Sequence, residues 1–427
     1  MSQARCYLDR NCRSLKDGEE KNGHCQKRSE FVSRGCRSQA LSDSACRGWL
    51  GLSSILLVVS CADASADAGA ILTEAASLPE VRVEIQEDRW IDPSEGPLLE
   101  SGTEPTDTLQ IRSELGTSEA WGIVSSLRVV GDRLFVSDRI SNPLITVVNW
   151  RTGEIVDRFG RRGEGPGEFL DPSWVTYSRE ADGFWVFDYA SRRFSHFVPT
   201  TEGGEGTYRL DRELRLLGPL TPFHPVWTPG GVLTNGFFPD YTLLELDPGG
   251  NPVRWITARV PVSRSQVGHP QGRARLNRTR LATDPGLTHV ALVYQSTSRI
   301  DFFDMGGRHL RTIRGPRDVR IRYRVDEEAS RFRWEPENRW AYVDVDATAS
   351  HVYGLWCGAT CPDHTDLPTR VHVFTWEGGF IREFALDRPV KTIAVSSEDD
   401  LLFGYSEEPF PTIHAWVLGP LKGDESR

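Results

Sequence analysis

The chain has 427 residues at a formal net charge of −10, with 38% hydrophobic residues, 13 Trp and 19 Phe. This length holds two average domains or one large all-β domain, and the aromatic content is ample for a packed core. The acidic balance excludes a general nucleic-acid binder, and no apolar run reaches the about 20 residues that a membrane helix needs.

The eight cysteines are unevenly placed, with six at or before Cys61 and only Cys357 and Cys361 beyond. Residues 49–59, WLGLSSILLVV, are the one long apolar run, and Arg47 stands in front of it. The run fits the apolar region of a secretory signal, expected over 45–60. Val58-Val59-Ser60-Cys61 then resembles the bacterial lipobox, which implies cleavage before Cys61, acylation of its thiol and a cell-envelope location on a membrane. A buried helix with an incidental cysteine is the alternative. Cys6, Cys12, Cys25, Cys36 and Cys46 form no CxxC pair and have no His at zinc-site spacing. We expect 1–44 to be an upstream extension or disordered, with translation starting at Val32 or Leu41; a genuine cysteine-rich segment is the alternative. Ten Lys/Arg and six Asp/Glu precede Cys61, leaving 40 against 54 and a net charge of −14 for the remainder. Residues 61–104, acidic and rich in Ala, Ser, Glu and Pro, read as a flexible tether with one short strand at Val81–Ile85.

From 105 to 419 one pattern recurs six times, followed by a tail over 420–427. Its clearest copy is RVHVFTWEGGFIREFAL, Arg370–Leu386, in which a two-residue period turns at Glu377-Gly378-Gly379 and returns. Each copy offers an inner strand, a dense apolar second strand such as Phe184–Phe187, a third strand, and a polar fourth such as His309–Gly315. Four short strands per copy without helices between copies point to propeller blades. The sixth copy lacks a fourth strand. Thr108–Leu115, TLQIRSEL, matches the outer strands ELRLLG and HLRTIRG and is expected to close the ring, covering an edge that invites aggregation. The fold class is all-β, a six-bladed propeller.

GRRGEGPGEF (Gly160–Phe169), VHVFTWEGGFIREFALD and WAYVDVDATASHVYGLWCG resemble six-bladed propellers of the NHL-repeat and TolB-like type. The resemblance covers about 310 residues and implies a secreted or lipid-anchored bacterial protein. It is nearly silent on activity, because propellers host enzymes, scaffolds and binders alike.

Propeller topology puts the links from second to third strands and from blade to blade on one face, and the remaining turns on the other. The long loops Arg161–Asp171, Pro261–Arg278, Gly315–Trp340 and Gly358–Thr369 all fall on the first face, so a site is expected there. Between Pro261 and Thr283 stand Arg264, Arg273, Arg275, Arg278 and Arg280 without an acidic residue, and Arg320 and Arg322 follow. Such a concentration suits carboxylate, sulfate or phosphate groups through forked hydrogen bonds. Solvated arginines pairing with carboxylates such as Glu327 and Glu335 are the alternative. Asp326–Trp334 is expected as a short helix capped by Asp326. Gly163–Gly167 lacks the Lys-Ser/Thr and helix of a phosphate loop and reads as a tight inter-blade turn. Cys357 and Cys361 are candidates for a disulfide in an oxidising envelope.

No nucleophile and base pair has a recognisable local frame. His196, His224, His269, His289 and His414 read as structural. Asp344 and Asp346 on the inner strand of the fifth copy suggest a channel metal, but no partners stand at matching positions in other copies. The expectation is therefore a lipid-anchored binding module without cofactor or catalytic residue, a monomer whose ligand is a protein or an acidic small molecule or glycan. A propeller hydrolase or lyase with a channel metal, or an envelope assembly scaffold, is the alternative.

Overall fold

The computed structural model describes residues 80–82, 107–115, 121–177, 183–200, 208–216, 222–257, 267–317, 319, 323–326, 331–334, 339–358 and 368–421. Six antiparallel blades follow one another along the chain. Their innermost strands are Val124–Val130, Pro172–Tyr177, Val226–Thr228, Thr279–Thr283, Tyr342–Ala347 and Thr392–Val395. These lie side by side around a central channel, as the contacts between successive inner strands require.

The dense apolar second strands have a packing reason. In Phe184–Asp188, Phe184 and Val186 enter the core between blades 1 and 2, whereas Trp185 and Phe187 enter the core between blades 2 and 3. Both faces of a blade are buried, so the alternation that marks a half-exposed strand disappears. Each hydrophobic cluster of the molecule is one blade-to-blade interface, and together they close the circuit from blade 6 back to blade 1. The outermost strands escape this burial; Ile155–Phe159 of blade 1 is exposed or half-buried throughout.

A second repeat lies across the third and fourth strands. Thr146 faces Arg158, His196 faces Arg212, Glu245 faces Arg254, Asp301 faces Thr312, His372 faces Glu383, and His414 faces Glu114. One cross-strand polar pair thus recurs in every blade, and three of the chain's histidines belong to it.

Three expectations need correction. Thr108–Leu115 is two strands: Asp107–Leu109 pairs in parallel with the edge of blade 5, and Ile111–Leu115 forms the fourth strand of blade 6. The break is held by Asp387, whose Oδ2 accepts from the Ile111 amide at 3.2 Å. Where a helix was expected over Asp326–Trp334, Tyr323–Asp326 and Arg331–Trp334 instead pair as a two-stranded ribbon. Aromatic and β-branched residues make up half of each strand, Tyr323 and Val325 in one and Phe332 and Trp334 in the other, and favour the extended state. Within the loop Pro261–Arg278 a helix spans Pro270–Leu276, with Pro at its start and the His269 ring accepting from the Gly272 amide at 3.1 Å. The short strand expected at Val81–Ile85 lies at Glu80–Arg82 and pairs in parallel with Trp255–Thr257 of blade 3.

Residues 160–169 form a tight link between blades 1 and 2. Gly160 has φ +78° and lies against the buried Phe169 ring, 2.6 Å from where a Cβ would stand, so only glycine fits. Arg193 holds the link from below through the Glu164 carbonyl at 3.0 Å.

Candidate functional site

At the end of the second strand, blades 1 and 2 place a buried aspartate that organises the long-loop face. Asp138 accepts from the amides of Gly122, Ile123, Ile140 and Ser141, which ties the incoming inter-blade link to the outgoing loop. Asp188 does the same for Leu170, Asp171, Ala190 and Ser191. These hydrogen bonds outweigh burial at Asp138 and hold its carboxyl below the usual range. The sequence reading missed this device, although VSD138 and VFD188 end equivalent strands. In blades 3, 4 and 5 the position holds Asn235, Gln295 and Cys357. Asn235 still clamps its link, accepting from the His224 amide at 3.0 Å and donating to the Thr279 carbonyl at 3.0 Å. The Gln295 Oε1 is buried without a hydrogen-bond partner. Cys357 is disulfide-bonded; Cys361, its expected partner, lies outside the described residues.

The arginines expected to form an anion site separate into different fates. Arg264, Arg320 and Arg322 lie outside the described residues. Arg273, on the helix, is buried and forks onto Asp240 at 2.7 and 2.9 Å, with its remaining donors on the Val267 and Gly268 carbonyls. It anchors the helix and is not open to a ligand. Arg275 stands exposed on the same helix. Arg278 and Arg280 enter the channel mouth together at the start of the blade 4 inner strand.

Arg280 donates from Nε to the Val343 carbonyl at 2.7 Å, and its NH1 lies 3.5 Å from His224 Nε2. Desolvation, followed by the nearby Arg278, lowers its pKa to about 10. The Arg278 guanidinium lies 4.9 Å from the Phe223 ring centroid, and Phe223 stacks on Tyr189 at 6.2 Å. Its Nε is buried without a partner, and desolvation lowers its pKa. His224 is held neutral, first by burial and then by Arg280, Arg278 and Arg128. The mouth thus gathers two closely spaced cations, an aromatic platform and an imidazole; the one carboxylate that acts on Arg280, Asp344, does not offset the desolvation and gives its hydrogen bonds to other groups.

The carboxylates of the channel are engaged elsewhere. Asp344 accepts from Thr392 Oγ1 at 2.5 Å and from the Ile393 amide at 2.9 Å. Asp346 accepts from the Val395 amide at 2.8 Å and pairs with Arg128. Among the described residues no group of three or more His, Cys, Asp or Glu is placed to hold a metal ion.

Two further histidines have local partners. His196 meets Asp211 at 3.0 Å, and His289 meets Thr288 Oγ1 at 2.8 Å. One arrangement has the connectivity of a nucleophile, base and acid: Tyr342 OH lies 3.0 Å from His372 Nδ1, and His372 Nε2 lies 2.8 Å from Glu383. All three side chains are buried. Arg317 forks onto Glu383 at 2.5 and 2.7 Å, and Arg370 adds a contact at 2.9 Å, so this is a sealed knot between blades 4 and 5.

Exposed apolar residues also favour the long-loop face. Ile123, Ile140, Tyr189 and Phe410, at 43%, 61%, 38% and 63% exposure, all lie in its links on blades 6, 1 and 2. Single exposed apolar residues are ordinary, but these share one face.

Residues 129–398 match the family model described as TolB-like 6-blade propeller-like. No curated protein matches the chain. Among solved structures, the β-propeller domain of Cps50 (Swd1) from Myceliophteria thermophila is similar at 11% identity and a TM-score of 0.40, over 73% of this chain and 100% of that one. So loose an overlay carries no argument about function.

Proposed function

We propose, from the premise that this chain belongs to the TolB-like six-bladed propeller family, that it is a lipid-anchored binding module of the cell envelope. Its ligand carries a carboxylate, sulfate or phosphate, and the long-loop mouth of the channel receives it. The observation that carries this reading is Arg278, a largely desolvated guanidinium whose buried Nε has no acceptor. Buried polar groups are nearly always satisfied, and an unsatisfied donor at a channel mouth asks for an acceptor from outside. An anionic group offers Arg278 its acceptor, and Phe223 with Tyr189 gives a ring of the ligand a surface to lie on.

Thermal shift with sulfate, citrate and glucuronate tests this directly. A ligand at 100 times its dissociation constant stabilises by about 2.7 kcal/mol. Arg278→Ala is expected to weaken binding by about 10- to 100-fold, the worth of a charge-assisted hydrogen bond. An unchanged affinity removes the mouth from consideration.

Anchoring rests on the sequence alone, since Cys61 lies outside the described residues. Among the described residues no helix is long and apolar enough to cross a membrane. Acyl chains on Cys61 would supply the two or more chains that stable attachment needs. Cys61→Ser is expected to move the protein from the membrane fraction to the soluble one; retention on the membrane refutes lipid attachment.

A further inference from the structure

The opposite mouth of the channel, on the face of the short turns, opens into a cavity of about 580 Å³. That volume falls within the range of about 300–1,000 Å³ typical of small-molecule pockets. Val226, Leu287 and Val395 give it apolar walls from three different blades, and Ser397 stands on its exposed rim. Its charged lining is Arg128, Asp346, Arg133, Asp132 and Asp284: Arg128 pairs with Asp346 and Arg133 with Asp132, while the Asp284 carboxylate is taken up by the Thr288 and His289 amides. The Arg128 guanidinium also lies 4.3 Å from the Trp174 ring centroid, a contact that fixes its position.

Leu287 is the telling residue. It adopts φ +49°, a left-handed conformation that is a genuine outlier for a bulky side chain. The turn has Gly286 next to it, yet the left-handed residue is Leu287. The Asp284 carboxylate holds the turn in place, accepting from the Thr288 amide at 2.7 Å and the His289 amide at 2.6 Å. Strain of this kind persists where the surroundings impose it, and here it sets an apolar side chain on a cavity wall.

We propose that this cavity is a second ligand site, which takes one uncharged, mainly apolar small molecule with its hydrogen-bonding end toward the Arg128–Asp346 pair. The internal ion pair is the reason for the lack of charge. A charged ligand would have to separate Arg128 from Asp346 and leave one of them buried and unpaired. The site is distinct from the long-loop mouth in position and in chemistry, and it stands whether or not that mouth binds anions.

The test is a fluorescence titration of the full chain with N-phenyl-1-naphthylamine, an uncharged naphthyl dye. The expected result is one saturable site. Ser397→Trp, which fills the cavity from an exposed position, and Leu287→Gly, which relieves the strain and removes the wall, are each expected to lower affinity by about tenfold or more. The anionic dye 8-anilinonaphthalene-1-sulfonate is expected to bind at least about tenfold more weakly than the neutral one. The proposal is overturned by a titration that does not saturate, or by both variants melting cooperatively yet binding as the parent does. It is equally overturned if the anionic dye binds as tightly.

Discussion

The knot at Glu383 and the mouth at Arg278 are built from the same residue types, and they behave as opposites. In the knot, two arginines and a histidine converge on one fully buried carboxylate, with a tyrosine on the far side of the histidine ring, and the carboxylate's pKa falls to about 2 despite its burial. In the mouth, two arginines and a histidine meet without such a carboxylate, so Arg278, Arg280 and His224 all shift toward their neutral forms. Burial is common to both regions. What separates them is whether the opposite charge is supplied by the protein. A satisfied network holds blades together, and an unsatisfied one at an opening is available to a ligand.

The sharpest way to break this comparison is to remove the carboxylate. Glu383→Ala strands Arg317 and His372 in the core and is expected to cost about 3–5 kcal/mol of stability. Denaturant unfolding measures it; a loss below about 1 kcal/mol would mean that the knot is no more than a surface ion pair.

The pH response separates the regions next. The folded pKa of Glu383 lies below its unfolded value near 4.3, so its stabilisation is present above that pH and is lost as pH falls toward about 2. For His224 the folded pKa is also depressed, but the group is a base. Above about pH 6.5 it is neutral in both states; below it the unfolded chain takes up the proton first, and stability falls. One such group contributes a slope of at most about 1.4 kcal/mol per pH unit. His372 and His414 are lowered too and add to the same limb, so His224→Gln should flatten the slope between pH 6.5 and 5 without abolishing it. An unchanged slope would show that His224 is solvated. The smallest effect is expected for Arg278→Met. Replacing an unpaired, partly buried cation by an apolar side chain should leave stability within about 0.5 kcal/mol or raise it slightly, in contrast to Glu383→Ala. A clear destabilisation would mean that Arg278 has a structural partner after all.

Much of the architecture was legible before any coordinates. The hairpin Arg370–Leu386, the second strand Phe184–Phe187 and the fourth strand at His309–Gly315 stand where the sequence reading put them. Period-two alternation, glycine turns and sixfold recurrence are local signals, each carried by a few adjacent residues. They determine strands, blades and the face on which the long loops fall. The division among the arginines was not legible, because their partners are distant in sequence: Asp240 for Arg273, Val343 for Arg280, Glu383 for Arg317. Each partner arrives through packing between neighbouring strands and blades, which no run of adjacent residues encodes. The sequence by itself therefore determined which residues could carry charge to the long-loop face. Only the tertiary structure decided which of them are neutralised there, since a buried charge is judged by what closes around it in space.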